Sequence, residues 1–228
     1  MFPAVMPSEA VPAAGRARKT LSSSIIRFDD PRRAERRRVE RFIEDTYAAA
    51  FGGRIAGHYP TLMSVQDDEG VIYAAVGFRH AAQEPLFLEQ YLDGPVDQAL
   101  SRALGAAVER QHVVEIGSLA SSGRGATVFL FAAMARHLRQ GGLRFAVATA
   151  TEELRRIFQK AGLGALTLAK ADPRRLIDGG SSWGAYYQAN PVVLAGSIEA
   201  ACAPLDHFAD SAPIGQAVRT RLHYRSRA

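Results

Sequence analysis

The chain has 228 residues, of which 47% are hydrophobic and 22% charged, with a single cysteine and a net charge of +5. That length and apolar content suit one well-buried domain with extensions and fall short of two full domains. With Cys202 alone there is no internal disulfide framework and no cysteine-rich zinc site, and no apolar run reaches the length of a membrane span.

A lone cysteine fits a reducing compartment, so the expected location is the cytoplasm, with any membrane association peripheral. Residues 1–24 hold prolines, alanines and basic residues without periodicity, lack a basic region before an apolar core, and are expected to be a flexible lead-in rather than a signal peptide. From Arg16 to Arg41 ten basic residues face four acidic ones, a local charge of +6. Such an arm suits nucleic acid, anionic lipid or an acidic carrier protein, or is a solvated helix face. No nucleic-acid reading motif accompanies it.

A strand is expected at Ser24–Phe28, followed by Asp29-Asp30-Pro31 as a helix start and a stripe of Val39, Phe42, Ile43, Tyr47 and Ala50 that ends at Gly52-Gly53. Thr61–Gln66 and Val71–Arg79 read as a hairpin. Pro85–Leu92 is apolar, with Glu89 and Tyr91 embedded, and Pro95–Gln111 reads as a helix burying Val96, Leu100, Leu104 and Val108. His112–Leu119 is a strand, Ala120–Ala126 a glycine loop, and a helix runs on to Gln140.

Leu143–Thr149 forms the next strand, with Thr149 and Glu152 in capping-box spacing before a helix that closes at Gly162. Ala165–Ala169 and Pro191–Ile198 are the last strands, separated by Asp172-Pro173 and Ser182–Tyr187. This order predicts an α/β (α+β) domain over 25–198, a mixed sheet flanked by helices, with 199–228 as a C-terminal extension.

The stretch from His112 to Gln140 carries the most chemistry. Gly123 and Gly125 before a helix allow the backbone N–H groups of Ser122, Gly123, Arg124, Gly125, Ala126 and Thr127 to converge on one anion, with Arg124 as charge partner; the bland alternative is a tight turn. Glu115, within an apolar strand, is either a general base with a raised pKa or a carboxylate paired with Arg79 to stitch adjacent strands. Arg79 and Glu89 either recognise a zwitterion or bridge one another. The six histidines show no ligand spacing, so no metal is expected, and there is no Gly-x-Ser-x-Gly elbow.

The strand, loop and helix resemble those of GNAT-type acyltransferases, whose pyrophosphate loop reads Gln/Arg-x-x-Gly-x-Gly/Ala; here both glycines match and Ala120 stands at the leading position. Seven further stretches resemble the thermostable hemolysin family in order and spacing: Pro60–Met63, Val76–Ala81, Leu86–Pro95, Val114–Ala120, Ala148–Thr151, Ala171–Pro173 and Trp183–Tyr187 through to Gly196. That family is itself similar to the acyl-homoserine-lactone autoinducer synthases, whose central strand carries Glu-x-x-Arg; Glu115 matches the acid, and Ser118 replaces the arginine.

The resemblance implies a GNAT-like fold and an N-acyltransferase that moves a fatty acyl group from acyl-CoA or an acyl-carrier-protein thioester to a small amine or amino-acid-like acceptor. It also implies no tightly bound cofactor, a carrier protein docked on Arg16 to Arg41, and Tyr186 or Tyr187 as the acid that protonates the leaving thiolate. Arg79, Glu89 and Ser118 are the expected acceptor contacts. The alternative is a hemolysin acting directly on lipid bilayers.

Overall fold

The computed structural model describes residues 21–123 and 125–211, with side chains described up to 207. Seven strands form one sheet: β1 Leu21–Arg27, β2 Thr61–Asp67, β3 Ile72–His80, β4 Val113–Ser121, β5 Phe145–Ala150, β6 Leu166–Lys170 and β7 Val192–Ser197, in spatial order β1-β2-β3-β4-β5-β7-β6. Every neighbouring pair is antiparallel except β4 and β5, which run parallel. Among the described residues five α-helices accompany it: α1 Arg33–Phe51, α2 Val96–Leu104, α3 Ala126–Gln140, α4 Glu152–Lys160 and α5 Ile198–Ser211.

β4 is central because both its faces are apolar. Val114 meets the face covered by α3 and α5, and Val113 meets the opposite cluster around Leu88, Tyr91 and Leu100. Helix α3 is buried nearly all round from Phe129 to Ala135, as expected for a helix between a sheet and a second helix. Leu130, with no exposed surface, illustrates the scale: truncating such a leucine costs about 2–5 kcal/mol. α1 covers the other face through Val39 and Ile43, packed with Ile26, Leu62 and Ala75.

Several boundaries differ from the sequence reading for identifiable reasons. β1 is already strand at Leu21, the first described residue, whose side chain is buried in the α3 cluster three residues ahead of the expected strand. α1 begins at Arg33, because Asp30 accepts both the backbone N–H and the guanidinium of Arg32 and does not serve as a cap; that pairing holds Asp30 at about 2. α2 stops at Leu104, since Gly105 adopts the left-handed conformation (φ 66°) that closes a helix, and Val108 instead donates its N–H to Ser101. Thr151, not Thr149, caps α4, accepting the Leu154 N–H at 3.4 Å. The segment after Ser197 is helical, and its Cys202 and Leu205 belong to the α3 cluster.

One irregularity positions everything that follows. β4 pairs with β5 only as far as Ile116 opposite Ala148, while β5 continues alongside β7 to Ala150. On its other side, β4 sets Ser118 and Leu119 against the single residue Val76 of β3, a β-bulge in which Ser118 has φ 52°. A non-glycine residue with positive φ stores strain, and such strain clusters at working sites. The parallel pair therefore opens into a wedge at the end of β4 that runs into the glycine loop.

Candidate active site

Two cavities meet this wedge, one on each face of the sheet, and both are lined by Ile116. The larger, about 390 Å³, lies on the α1 face, with walls that include Tyr47, Tyr59, Phe87, Tyr91, Trp183 and Tyr186. The smaller, about 110 Å³, lies on the α3 face and is almost wholly apolar, bounded by Phe131, Met134, Phe158 and Leu194. Its space exists because β5 and β7 present Ala146, Ala148 and Gly196 there, where larger side chains would fill it.

The aromatic wall is locked together by edge and tilted contacts. Trp183 lies 5.4 Å from Tyr186 and 5.7 Å from Phe87 between ring centroids, and Phe51 meets Tyr186 edge-on at 5.3 Å. The backbone ties the Trp183 segment to the end of α1, with Arg54 N–H donating to Ser182 and Ala185 N–H to Phe51.

Tyr59 is a site residue the sequence reading did not single out. It lies flat on β3 and β4, where Gly77 and Gly117 face each other across the ladder; a Cβ at Gly117 would stand 2.2 Å from its hydroxyl. The Arg79 guanidinium covers the ring at 4.5 Å, and the hydroxyl bonds Glu115. Two glycines at paired strand positions were the available signal, since glycine inside a strand often marks close approach.

Glu115 is 1% exposed and well supplied with donors. Oε2 accepts the Phe87 N–H at 2.8 Å, Oε1 accepts the Leu88 N–H at 3.0 Å, and Arg79 Nε stands 3.3 Å from Oε2. Burial pushes its pKa up, only partly offset by Arg79, the two N–H groups and Tyr59. Arg79 and Glu115 are directly opposed in register, so the strand-stitching pair is present. The carboxylate is absent from the cavity lining, whereas Arg79 is part of it.

Glu89 sits elsewhere. Its carboxylate accepts from both terminal guanidinium nitrogens of Arg110 and from the N–H groups of Leu86 and Val96. Burial works against that charge, but these donors more than offset it and hold Glu89 below the usual range. Glu89 and Arg79 therefore do not pair with each other, and Glu89 does not reach the cavity that Arg79 lines.

Tyr186 and Tyr187 both line the aromatic cavity. Tyr186 donates to the carbonyl of Thr149 at 3.3 Å, the first β5 residue past the last β4 pair, which places its hydroxyl at the wedge. Tyr187 shares a hydrogen bond with Tyr91. Burial raises both tyrosines, so both stay protonated at neutral pH. Ser118 joins them in the lining, at the bulge.

In the glycine loop, Gly123 and Gly125 both take left-handed backbone (φ 81° and 78°), and Gly125 opens α3 without a side-chain cap. Thr127 Oγ1 and the Gly123 N–H both bond Ser121 Oγ, at 2.7 and 3.1 Å, while Ser122 N–H is committed to Tyr73. Ala126 is buried, and Arg124 lies outside the described residues. The loop lines neither cavity; it continues the β4 strand that borders both.

The basic arm divides similarly. Arg16, Arg18 and Lys19 lie outside the described residues. Arg36 is buried, donating to Glu40 and to the carbonyls of Ile26, Tyr59 and Pro60, so it holds α1 to the sheet and is not a docking charge. Arg33, Arg37, Arg38 and Arg41 face solvent. Among the described residues no helix is long and apolar enough to cross a membrane, and no group of three or more His, Cys, Asp or Glu is placed to hold a metal.

Solved structures with this architecture include the acyl-homoserine-lactone synthase LasI (14% identity, TM-score 0.56, covering 79% of this chain and 91% of that one). FeeM, an N-acyl amino acid synthase from uncultured soil microbes, matches at 15% identity and TM-score 0.57 over 79% of this chain and 92% of its own. The CoA-dependent acyl-homoserine lactone synthase BjaI, solved with SAM and isopentyl-CoA, matches at 12% identity and TM-score 0.57 over 90% and 95%. At such identities the likeness establishes a GNAT-like fold. No curated protein sequence matches the chain. The thermostable hemolysin family profile matches residues 30–202, most of the chain, and the protein belongs to the thermostable hemolysin family.

Proposed function

We propose that the protein is an N-acyltransferase that moves a fatty acyl group from a CoA or carrier-protein thioester to a small amine, with the thioester lying in the wedge between β4 and β5. The observation that carries this reading is the pair of cavities on opposite faces of the sheet that share Ile116: an apolar one suited to an acyl chain and a polar aromatic one suited to an acceptor. The fold is shared with solved acyl-homoserine-lactone and N-acyl amino acid synthases.

Placement supports a role for each residue. Backbone N–H groups of the Ser118 bulge stabilise the oxyanion formed when the carbonyl is attacked. The start of α3 at Gly125 receives the phosphate of the donor, the N–H groups of Ser122 and Gly123 being already bonded within the chain. Arg79 binds an acceptor carboxylate, and Tyr186, at the wedge, protonates the leaving thiolate, with Tyr187 bonded to Tyr91 behind it. Glu115, its oxygens already occupied, is a positioning residue that fixes Tyr59, Arg79 and the 87–91 turn. Solvent-facing Arg33, Arg37, Arg38 and Arg41 form the docking face for an acidic carrier.

The test is thiol release from octanoyl-CoA and octanoyl-carrier protein in the presence of an amino-acid mixture. Turnover that falls about 100-fold or more in Tyr186→Phe supports the reading; no thiol release and no donor binding by calorimetry would sink it. The direct membrane alternative has its own readout, dye leakage from liposomes with no donor present.

A further inference from the structure

Among the described residues, two buried side-chain nitrogens lack a hydrogen-bond partner, His58 Nδ1 and Arg79 Nε, and both residues line the aromatic cavity. Arg79 Nε at least stands 3.3 Å from Glu115, off the line a hydrogen bond needs. His58 Nδ1 has no such neighbour. An orphaned buried polar atom is uncommon in a folded protein and points to a missing ligand.

The other ring nitrogen is firmly held. His58 Nε2 lies 2.7 Å from Glu44 Oε1, and Glu44 projects from α1 with Arg37 3.9 Å away. A carboxylate can only accept, so in the neutral imidazole Nε2 carries the proton and the lone pair is on Nδ1, a buried atom of a residue that lines the same cavity as Tyr59 and Arg79. A carboxylate fixing the tautomer of an imidazole whose second nitrogen is a bare acceptor is the arrangement of a general base.

We propose that His58, oriented by Glu44, is the base that takes the proton from the acceptor ammonium in the acyl transfer described above, on which this inference rests. The ammonium gives one proton to Nδ1 and becomes a neutral amine. Its nitrogen forms the C–N bond with the thioester carbonyl, and the carbonyl pair moves to oxygen. As that oxyanion collapses, the C–S bond breaks, the second nitrogen proton goes to the thiolate by way of Tyr186, and His58 returns its proton to solvent. Glu115 is poorly suited to this task, with its donors already in place and no share in the cavity lining.

The charged and titratable groups around His58 are Glu44, Glu40 and Arg37 from α1. Tyr47, Arg54, Tyr59, Arg79, Asp178 and Tyr186 share the cavity with it. Of these, Glu44 alone bonds the ring.

The experiment compares two acceptors with octanoyl-CoA as donor: an amino-acid mixture, whose amines must lose a proton before attack, and hydroxylamine, which is already neutral at pH 7. His58→Ala is expected to lose about 100-fold or more on the amino acids and less than about tenfold on hydroxylamine. Glu44→Ala, which removes the acceptor of Nε2–H and so frees the tautomer, is expected to show the same split and carries the test if His58→Ala fails to fold. The fall of wild-type kcat/KM toward low pH should disappear or move in both variants. Equal losses on the two acceptors, or an unchanged pH profile, would overturn the role of His58 while leaving the acyltransferase reading intact. Independently of turnover, ¹⁵N NMR of the wild-type protein should find His58 Nδ1 unprotonated; a proton there overturns the assignment. Absence of thiol release by the wild type from any donor overturns both.

Discussion

Gly117→Ala probes how tightly the site is built. The added methyl would lie 2.2 Å from the Tyr59 hydroxyl and 2.6 Å from Cζ, and the same ring lies so close over Gly77 that a Cβ there would stand 2.6 Å from it. Carbon atoms rest about 3.5–4.0 Å apart, so the ring must lift by more than an ångström. That movement separates its hydroxyl from Glu115 and presses against the guanidinium of Arg79. Overpacking of this kind costs about 1–3 kcal/mol, and a lost hydrogen bond to a charged group about 1.5–3 kcal/mol. Because one displacement accounts for both, the expected total is about 2–4 kcal/mol. For a protein of this size that lowers the melting temperature by roughly 5–15 °C. Circular dichroism melts would measure it, together with Tyr59→Ala and the double variant, in which the methyl has room and the two effects should couple by about 1 kcal/mol or more. A Gly117→Ala protein that melts within about 2 °C of wild type, or strictly additive variants, would refute the packing described.

Removing the Glu115 side chain as Glu115→Ala leaves Arg79, Tyr59 and two buried N–H groups without their acceptor and should cost about 3–5 kcal/mol by urea unfolding, with Glu115→Gln losing less than half of that. At high pH the buried tyrosines set the response. Burial moves Tyr47 from its ordinary 10.0 to about 12, and Tyr59 and Tyr186 also rise, so the unfolded chain loses its phenolic protons first. Their contribution to stability is present below the ordinary tyrosine range and lost as pH climbs through it, so urea midpoints should fall steeply from pH 10 upward while those at pH 7 to 9 stay level. Reversing Arg33 and Arg41 to Glu should weaken carrier-protein binding roughly fivefold or more at low salt and little at high salt, measured by titration calorimetry; equal loss at both would point away from charge steering.

The sequence carried the fold further than the site. Alternation and glycine punctuation located the hairpin, β4, the glycine loop and α3, because those elements bury one patterned face each and leave a periodic trace. The helix read through to Gln111 failed at Gly105, where a single left-handed residue outweighs continued apolar spacing. At the site, Arg79, Ser118, Tyr186 and Tyr187 fall in one cavity as a set, whereas Glu89 is claimed by Arg110, a partner 21 residues away that no local pattern reveals. Neither Tyr59 nor His58 stands out in the sequence, for the same physical reason. Both lie on the connection between α1 and β2, where there is no periodicity, and each acquires its meaning from distant neighbours: Tyr59 from a pair of strand glycines, His58 from Glu44.

The central claim is that this fold joins an acyl chain to an amine, and mass spectrometry of lipids extracted from cells expressing the protein measures that product directly. The wild-type protein should add a series of N-acyl species, differing by acyl chain and sharing one amine head group, that are missing from the empty-vector control and strongly reduced with Glu115→Ala. A lipid profile indistinguishable from the control, from cells in which the folded protein is abundant, would contradict the account.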